Sequence, residues 1–174
     1  MRRSPSLSLA VAVLAAACAV AVLGAQTPAE ARLQKQLKQL FPGATAFTPK
    51  GGDPPHFKAM NGQTLLGLAF WTTELQPLER AYDGPIKILV GMDTKGILTG
   101  AVVVEHHEPY GNFSVDTPGF AAQFRGKNIR DAFKVGVDVD AISRATISVT
   151  SASRSIRNSA RMAARQLLTA PQAQ

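Results

Sequence analysis

Leu33, Leu37 and Leu40, with Lys35 and Lys38 on other sides, give Pro28 to Leu40 an apolar period of three to four residues. That spacing predicts a helix, and Pro42-Gly43 ends it. The pattern then shortens. Lys50 to Pro55 reads as a loop, after which Lys58-Ala-Met60 and Leu65 to Trp71 predict two strands joined by a hairpin turn at Asn61-Gly62. Ile86 to Gly91 and Ile97 to Glu105 form the next hairpin, connected by Asp93-Thr-Lys-Gly96, and the unbroken Val102-Val103-Val104 implies a strand covered on both faces. Short helices are expected at Gly119 to Phe124 and at Asn128 to Phe133. Thr146 to Val149 reads as a short extended piece. A last helix from about Ser151 to Leu168, capped by Thr150 or Ser151, places Ile156, Ala160, Ala163 and Leu167 on one stripe. The whole is α+β: a mixed or antiparallel sheet with packed helices, one of them C-terminal.

Ahead of this lies Met1-Arg-Arg-Ser and then an apolar run from Leu7 to Ala25, broken only by Ser8 and small residues. A basic start followed by an apolar run predicts export across a membrane. The run is longer than the ~7–15 residues usual for a signal core and close to the ~20 of a spanning helix, so a cleaved signal and an N-terminal anchor both stand open. Leu23-Gly24-Ala25 and Ala29-Glu30-Ala31 offer small-residue cleavage points. Cys18, the sole cysteine, sits inside the run and is followed by more apolar residues, which reads as a signal residue rather than a lipid attachment site. None is then left for a disulfide or an iron–sulfur cluster. The organisation is therefore a targeting segment at 1–25, a helix and linker at 26–50, and one domain at 51–170, for which a hydrophobic content of 45% supplies the core.

Net charge is +7, and removing Arg2 and Arg3 leaves +5 beyond Ala25. Arg154, Arg157, Arg161 and Arg165 recur along the last helix as a solvated face or, alternatively, as a docking stripe for an acidic partner. Export and the lack of interleaved aromatics argue against nucleic acid. His106, His107 and Glu108 suggest a metal at first sight, but neighbours on a strand point to opposite faces, so no metal site is expected. One of these histidines is better suited to orienting a loop or accepting a proton. No Gly-x-Ser-x-Gly elbow, phosphate-binding loop or dinucleotide fingerprint occurs, which argues against a serine hydrolase and an NAD-linked enzyme. Trp71, in a strand, is expected in the core rather than against a planar ligand.

The remaining signal is Asp140-Ala-Ile-Ser-Arg-Ala-Thr146, a polar turn with small residues beside a final hydroxyl. It resembles the acceptor motif of FMN-binding domains: Asp, two variable residues, Ser or Thr, usually Gly, then Ala and Thr or Ser. Asp140, Ser143, Ala145 and Thr146 match it. Arg144 stands where Gly is usual, adding a cation and removing a residue free to adopt φ > 0. Asp116-Thr117-Pro118-Gly119-Phe120 resembles the family's Glu-Thr-Pro-Gly-Leu segment, with Asp for Glu and Phe for the aliphatic. The His-His-Glu-Pro109 ending and the Ser-Arg-Ala-Thr146 form together resemble the periplasmic flavin domain of the membrane regulator required for nitrous oxide reductase activity. Flavin subunits of Rnf-type and sodium-translocating NADH:quinone reductase complexes are resembled more distantly. The resemblance covers most of the chain after residue 30. It implies FMN joined by a phosphoester to Thr146, with Asp140, Ser143, Arg144 and Ala145 as its turn and Asp116, Thr117, Pro118, Gly119 and Phe120 along the flavin ring. It further implies an FAD-dependent FMN transferase, a membrane electron-transfer partner, and a periplasmic carrier, soluble or anchored, rather than an enzyme acting alone. A regulatory or assembly module and a basic adaptor with an unmodified motif are the alternatives.

Overall fold

The computed structural model describes residues 27–75 and 77–168; the targeting segment expected at 1–25, with Cys18, lies outside the described residues. The first element, α1 (Pro28–Leu40), starts where expected. Thr27 accepts a hydrogen bond from the Glu30 N–H at 3.2 Å while its own N–H donates to the Glu30 carboxylate at 2.8 Å, and Pro28 occupies the first helical position. That reciprocal cap satisfies two donors that the helix itself cannot.

A five-stranded antiparallel meander follows, in the order β1 (Ala46–Phe47), β2 (Phe57–Asn61), β3 (Thr64–Trp71), β4 (Lys87–Asp93) and β5 (Leu98–Glu105). Asn61 pairs with Thr64, so the β2–β3 turn centres on Gly62-Gln63, one residue later than the sequence suggests. In the β4–β5 turn, one oxygen of Asp93 accepts the N–H groups of Lys95 and Ile97, each at 2.8 Å.

The sheet is covered on both sides. Leu37 and Leu40 of α1 and Phe41 just after it pack with Phe57, Ala59, Ala69 and Leu89 on one face. A Cβ on Gly91 would come within 2.3 Å of the Thr99 hydroxyl and 3.0 Å of Leu40 Cβ, so glycine there lets α1 lie flat. On the other face, Phe70, Ile88, Val90 and Met92 meet the long helix α3 (Thr146–Ala163), whose Val149, Ala152, Ile156, Ala160 and Ala163 are fully buried. Each large aliphatic so buried contributes about 1.5–3 kcal/mol. β4 is the doubly buried strand. β5 lies at the edge, and its Val102, Val103 and Val104 face alternate clusters while only half-buried.

Further expectations change. Residues 128–133 form a turn rather than a helix: the Asp131 carboxylate accepts the Asn128 N–H, the Asn128 side chain accepts the Arg130 N–H, and Phe133 adopts φ +50°, which no helix continues. Thr146 to Val149 is the first turn of α3 rather than an extended piece, and the N-cap is Ala145 instead of Thr150 or Ser151. The helix ends in a π-helical turn at Ala164–Leu168. Nor is the arginine stripe merely solvated. Arg161 donates to the carbonyls of Ile129 and Asp131 at 2.7 and 2.9 Å, and Arg157 to that of Ala132 at 3.5 Å, so α3 holds the 129–132 segment.

Candidate functional site: a cleft at the start of the last helix

α3 begins inside the Asp140–Thr146 motif. The Ala145 N–H donates to the Ile142 carbonyl at 3.1 Å, closing a β-turn in which Arg144 has φ +66° and Ser143 does not have positive φ. This is the type II pattern, whose third position favours glycine because an L side chain crowds its own backbone there. Thr146 comes next, at the first helical position, with its side chain exposed and its hydroxyl without a partner among the described residues. Ala145 has no side chain to cap the helix, and the first intrahelical bond runs from the Val149 N–H to the Ala145 carbonyl at 2.9 Å. Among the described residues, the N–H groups of Thr146, Ile147 and Ser148 therefore have no acceptor. Such an end, carrying the positive pole of an 18-residue helix, favours an anion.

Thr146 opens onto a cleft of about 420 Å³ lined by Tyr82, Pro109, Tyr110 and the run Arg144 to Ser148. Among the described residues no carboxylate lines it. Immediately behind lies Glu108, which is buried. Its carboxylate accepts the Asp83 N–H at 2.9 Å, the Tyr82 N–H at 3.3 Å and a short hydrogen bond from the Ser148 hydroxyl. His106 accepts the Glu108 N–H on Nδ1 at 3.0 Å, which assigns its proton to Nε2, and Nε2 donates to Asp116 at 2.9 Å. A continuous path of polar contacts thus joins Asp116, His106, Glu108 and the first turn of α3.

Residues 81–161 match the family model of the FMN-binding domain. They belong to that family. The chain is 30% identical over 127 residues to the regulatory protein NosR of Stutzerimonas stutzeri, covering 67% of this chain and 17% of that one. It is also 30% identical over 141 residues to the regulatory protein NosR of Pseudomonas aeruginosa, covering 75% and 19%. This chain therefore spans less than a fifth of the length of these curated relatives.

The FMN-binding domain has the features that the cofactor's parts require. Unpaired N–H groups and Arg144 suit a phosphate, and two tyrosines beside them suit a planar ring. Of the residues picked out by sequence, Arg144, Ala145 and Thr146 line the cleft, and Ser143 is exposed in the turn before it. Asp140 is also exposed, its N–H held by the Gln123 side chain at 2.6 Å. None of residues 116–120 lines the cleft. Asp116 reaches it through His106, Thr117 caps the short helix α2 (Pro118–Ala122) with Pro118 at its first position, and Gly119 is exposed on that helix. Phe120 is a core residue, packed edge-on against Phe124 at 5.1 Å between ring centres. Trp71 belongs to the α1 face of the sheet, opposite α3, where Phe57, Lys50 and Lys87 surround it. His107 is exposed, while His106 does orient a loop.

Tyr82, Tyr110 and Ser148 line the cleft without having been singled out by sequence, and Glu108 drew notice there only as a metal candidate and as part of His-His-Glu-Pro109. One signal was available: Tyr82 and Tyr110 are the only two tyrosines in the chain. The segment leading into the motif is pinned by Asp138. Burial works against its charged form, but the N–H groups of Lys134 and Phe133 and the ammonium of Lys127 prevail and hold its carboxyl below the usual 3.8.

Proposed function

We propose that this chain is an exported electron-transfer flavoprotein whose FMN is joined to Thr146 through a phosphoester. The observation that carries the reading is the exposed Thr146 hydroxyl at the uncapped start of α3, on the rim of the aromatic cleft. An FAD-dependent transferase would load it. In that loading the Thr146 oxygen would attack the flavin-side phosphorus of FAD, forming one P–O bond as the pyrophosphate link breaks and AMP leaves with the bonding pair, and a base on the transferase would take the hydroxyl proton. The product diester keeps one negative charge, which the N–H groups of residues 146–148 and the Arg144 guanidinium are positioned to meet. Bound FMN supplies reversible one- and two-electron chemistry, so the domain would link two kinds of carrier at a membrane.

Asp140, Ser143 and Ala145 act in this reading as the turn that the transferase recognises. Glu108 ties the first turn of α3 to the 82–83 loop, and His106 links the Glu108 backbone to Asp116. Among the described residues no helix is long and apolar enough to cross a membrane. The proposed periplasmic location rests on the basic and apolar residues before position 26.

A second reading is favoured by the names of the relatives, both regulatory proteins. In it the flavin reports on a respiratory system rather than serving turnover. Stopped-flow oxidation of the flavin-loaded domain by quinone separates the two, because a carrier exchanges electrons on the timescale of turnover and a sensor does not. Attachment itself is read from flavin fluorescence in a denaturing gel after coexpression with a transferase: a fluorescent band is expected for the native sequence and none for Thr146→Ala.

A further inference from the structure

Two residues that the acceptor motif does not contain complete the site. Tyr82 and Tyr110 come from different segments, the turn bridged between Ala81 and Gly84 and the turn after β5, yet both line the cleft at Thr146. They are 70% and 52% exposed, and Ile147 beside them is 59% exposed. Leaving these large apolar surfaces in water forgoes burial energy, as Phe113 and Val137 also do, but here three such side chains gather at one cleft. Their backbones, by contrast, are held firmly. Glu108 accepts the Tyr82 and Asp83 N–H groups, the Gly111 N–H donates to the Glu108 carbonyl at 3.1 Å, and the Ser114 hydroxyl donates to the Tyr110 carbonyl at 2.9 Å. Fixed backbones with uncovered rings, beside a hydroxyl suited to tethering, describe a surface prepared for a flat aromatic ligand.

We infer that Tyr82 and Tyr110 are the aromatic walls that hold the isoalloxazine ring, with Glu108 as the residue that positions both relative to Thr146. This rests on the reading of Thr146 as the flavin anchor, and it puts the ring against the two tyrosines beside that anchor. Tyrosine stacks on a planar electron-poor ring through its own π face. Contact from two separately anchored loops fixes the orientation as well as the affinity of the ring, which the tether alone leaves free to swing.

The test uses the two tyrosines as reporters, since the chain has no others. The Thr146→Ala protein, which cannot be loaded covalently, is titrated with free riboflavin and treated with tetranitromethane, and nitration is read by peptide mass. Both tyrosines are expected to be protected. Tyr82→Ser and Tyr110→Ser are each expected to weaken riboflavin binding about tenfold. In the natively loaded protein the same variants should keep the full flavin mass while flavin fluorescence rises, because a stacked tyrosine quenches it. Glu108→Ala should weaken riboflavin binding, with Glu108→Gln recovering most of the loss because its carbonyl still accepts the two loop N–H groups. Nitration unaffected by riboflavin, or fluorescence unchanged in both tyrosine variants, overturns the assignment. Absence of flavin mass in the native sequence alone would instead remove the covalent anchor, leaving the riboflavin titration to decide the role of the tyrosines.

Discussion

Arg144→Gly replaces a residue held in the left-handed region by one that enters it freely. With φ at +66° and the turn closed by the Ala145 N–H, the position has no relaxed alternative that keeps Thr146 at the helix start. An L residue there is strained by about 1–2 kcal/mol. Glycine's greater freedom in the unfolded chain offsets about 0.5–1 kcal/mol of the relief. The net expectation is a stabilisation of about 0.5–1 kcal/mol, or about 1–4 °C in Tm for a chain of this size. Arg144→Ala is the control. It also loses the guanidinium but keeps the Cβ, and its stability should stay within about 0.5 kcal/mol of the native protein. Thermal and urea unfolding of the flavin-free proteins, followed by circular dichroism, give the comparison. An Arg144→Gly protein no more stable than Arg144→Ala would refute the turn geometry and with it the placement of Thr146.

Other outcomes follow from the same contacts. Thr146→Ala should leave stability within about 0.5 kcal/mol in urea unfolding, since the side chain is exposed, and Thr146→Ser should still accept flavin. Glu108→Ala strips the acceptor from the Ser148 hydroxyl and two loop N–H groups and should cost about 2–3 kcal/mol in chemical unfolding, with Glu108→Gln costing less. The lowered carboxyl of Asp138 means that its contribution is present above the usual 3.8 and is lost as pH falls through the depressed value; Asp138→Asn should therefore flatten the acid limb of a stability–pH curve below about pH 4. Arg161→Ala removes two bonds to the 129–131 carbonyls and should destabilise by about 1–2 kcal/mol, with faster amide exchange in that segment.

What the sequence made legible was local. The α1 helix carries its cap, its stripe and its stop within a few residues, and both hairpins are bounded by turn residues that need no distant partner. The start of α3 was obscured by Thr146, Ile147 and Val149, which favour extended backbone when read alone. Yet the apolar stripe of Ile156 and Ala160 runs back at helical spacing through Ala152 and Val149 to Ala145, and burial of that stripe decides the outcome. Residues 128–133 failed as a helix because Asn128 and Asp131 bind backbone groups locally, a competition that composition does not reveal.

The site divides in the same way. Thr146 and its turn are contiguous and carry the family's motif, and the glycine usual at position 144 turns out to answer a type II turn. The cleft around them depends on contacts across long stretches of chain. Glu108 meets Tyr82 from 26 residues away and Ser148 from 40, and no local pattern announces either meeting. Resemblance directed attention to residues 116–120, whereas the cleft is walled by tyrosines that the motif does not contain.

The most direct test is a tryptic peptide map of the exported protein after coexpression with an FMN transferase. Cleavage after Arg144 separates Ser143, in the peptide ending there, from Thr146, in the peptide 145–154. The account predicts the mass of FMN less one water on peptide 145–154, with fragment ions assigning it to Thr146. The same mass on the Ser143 peptide, or no added mass on either, would contradict it.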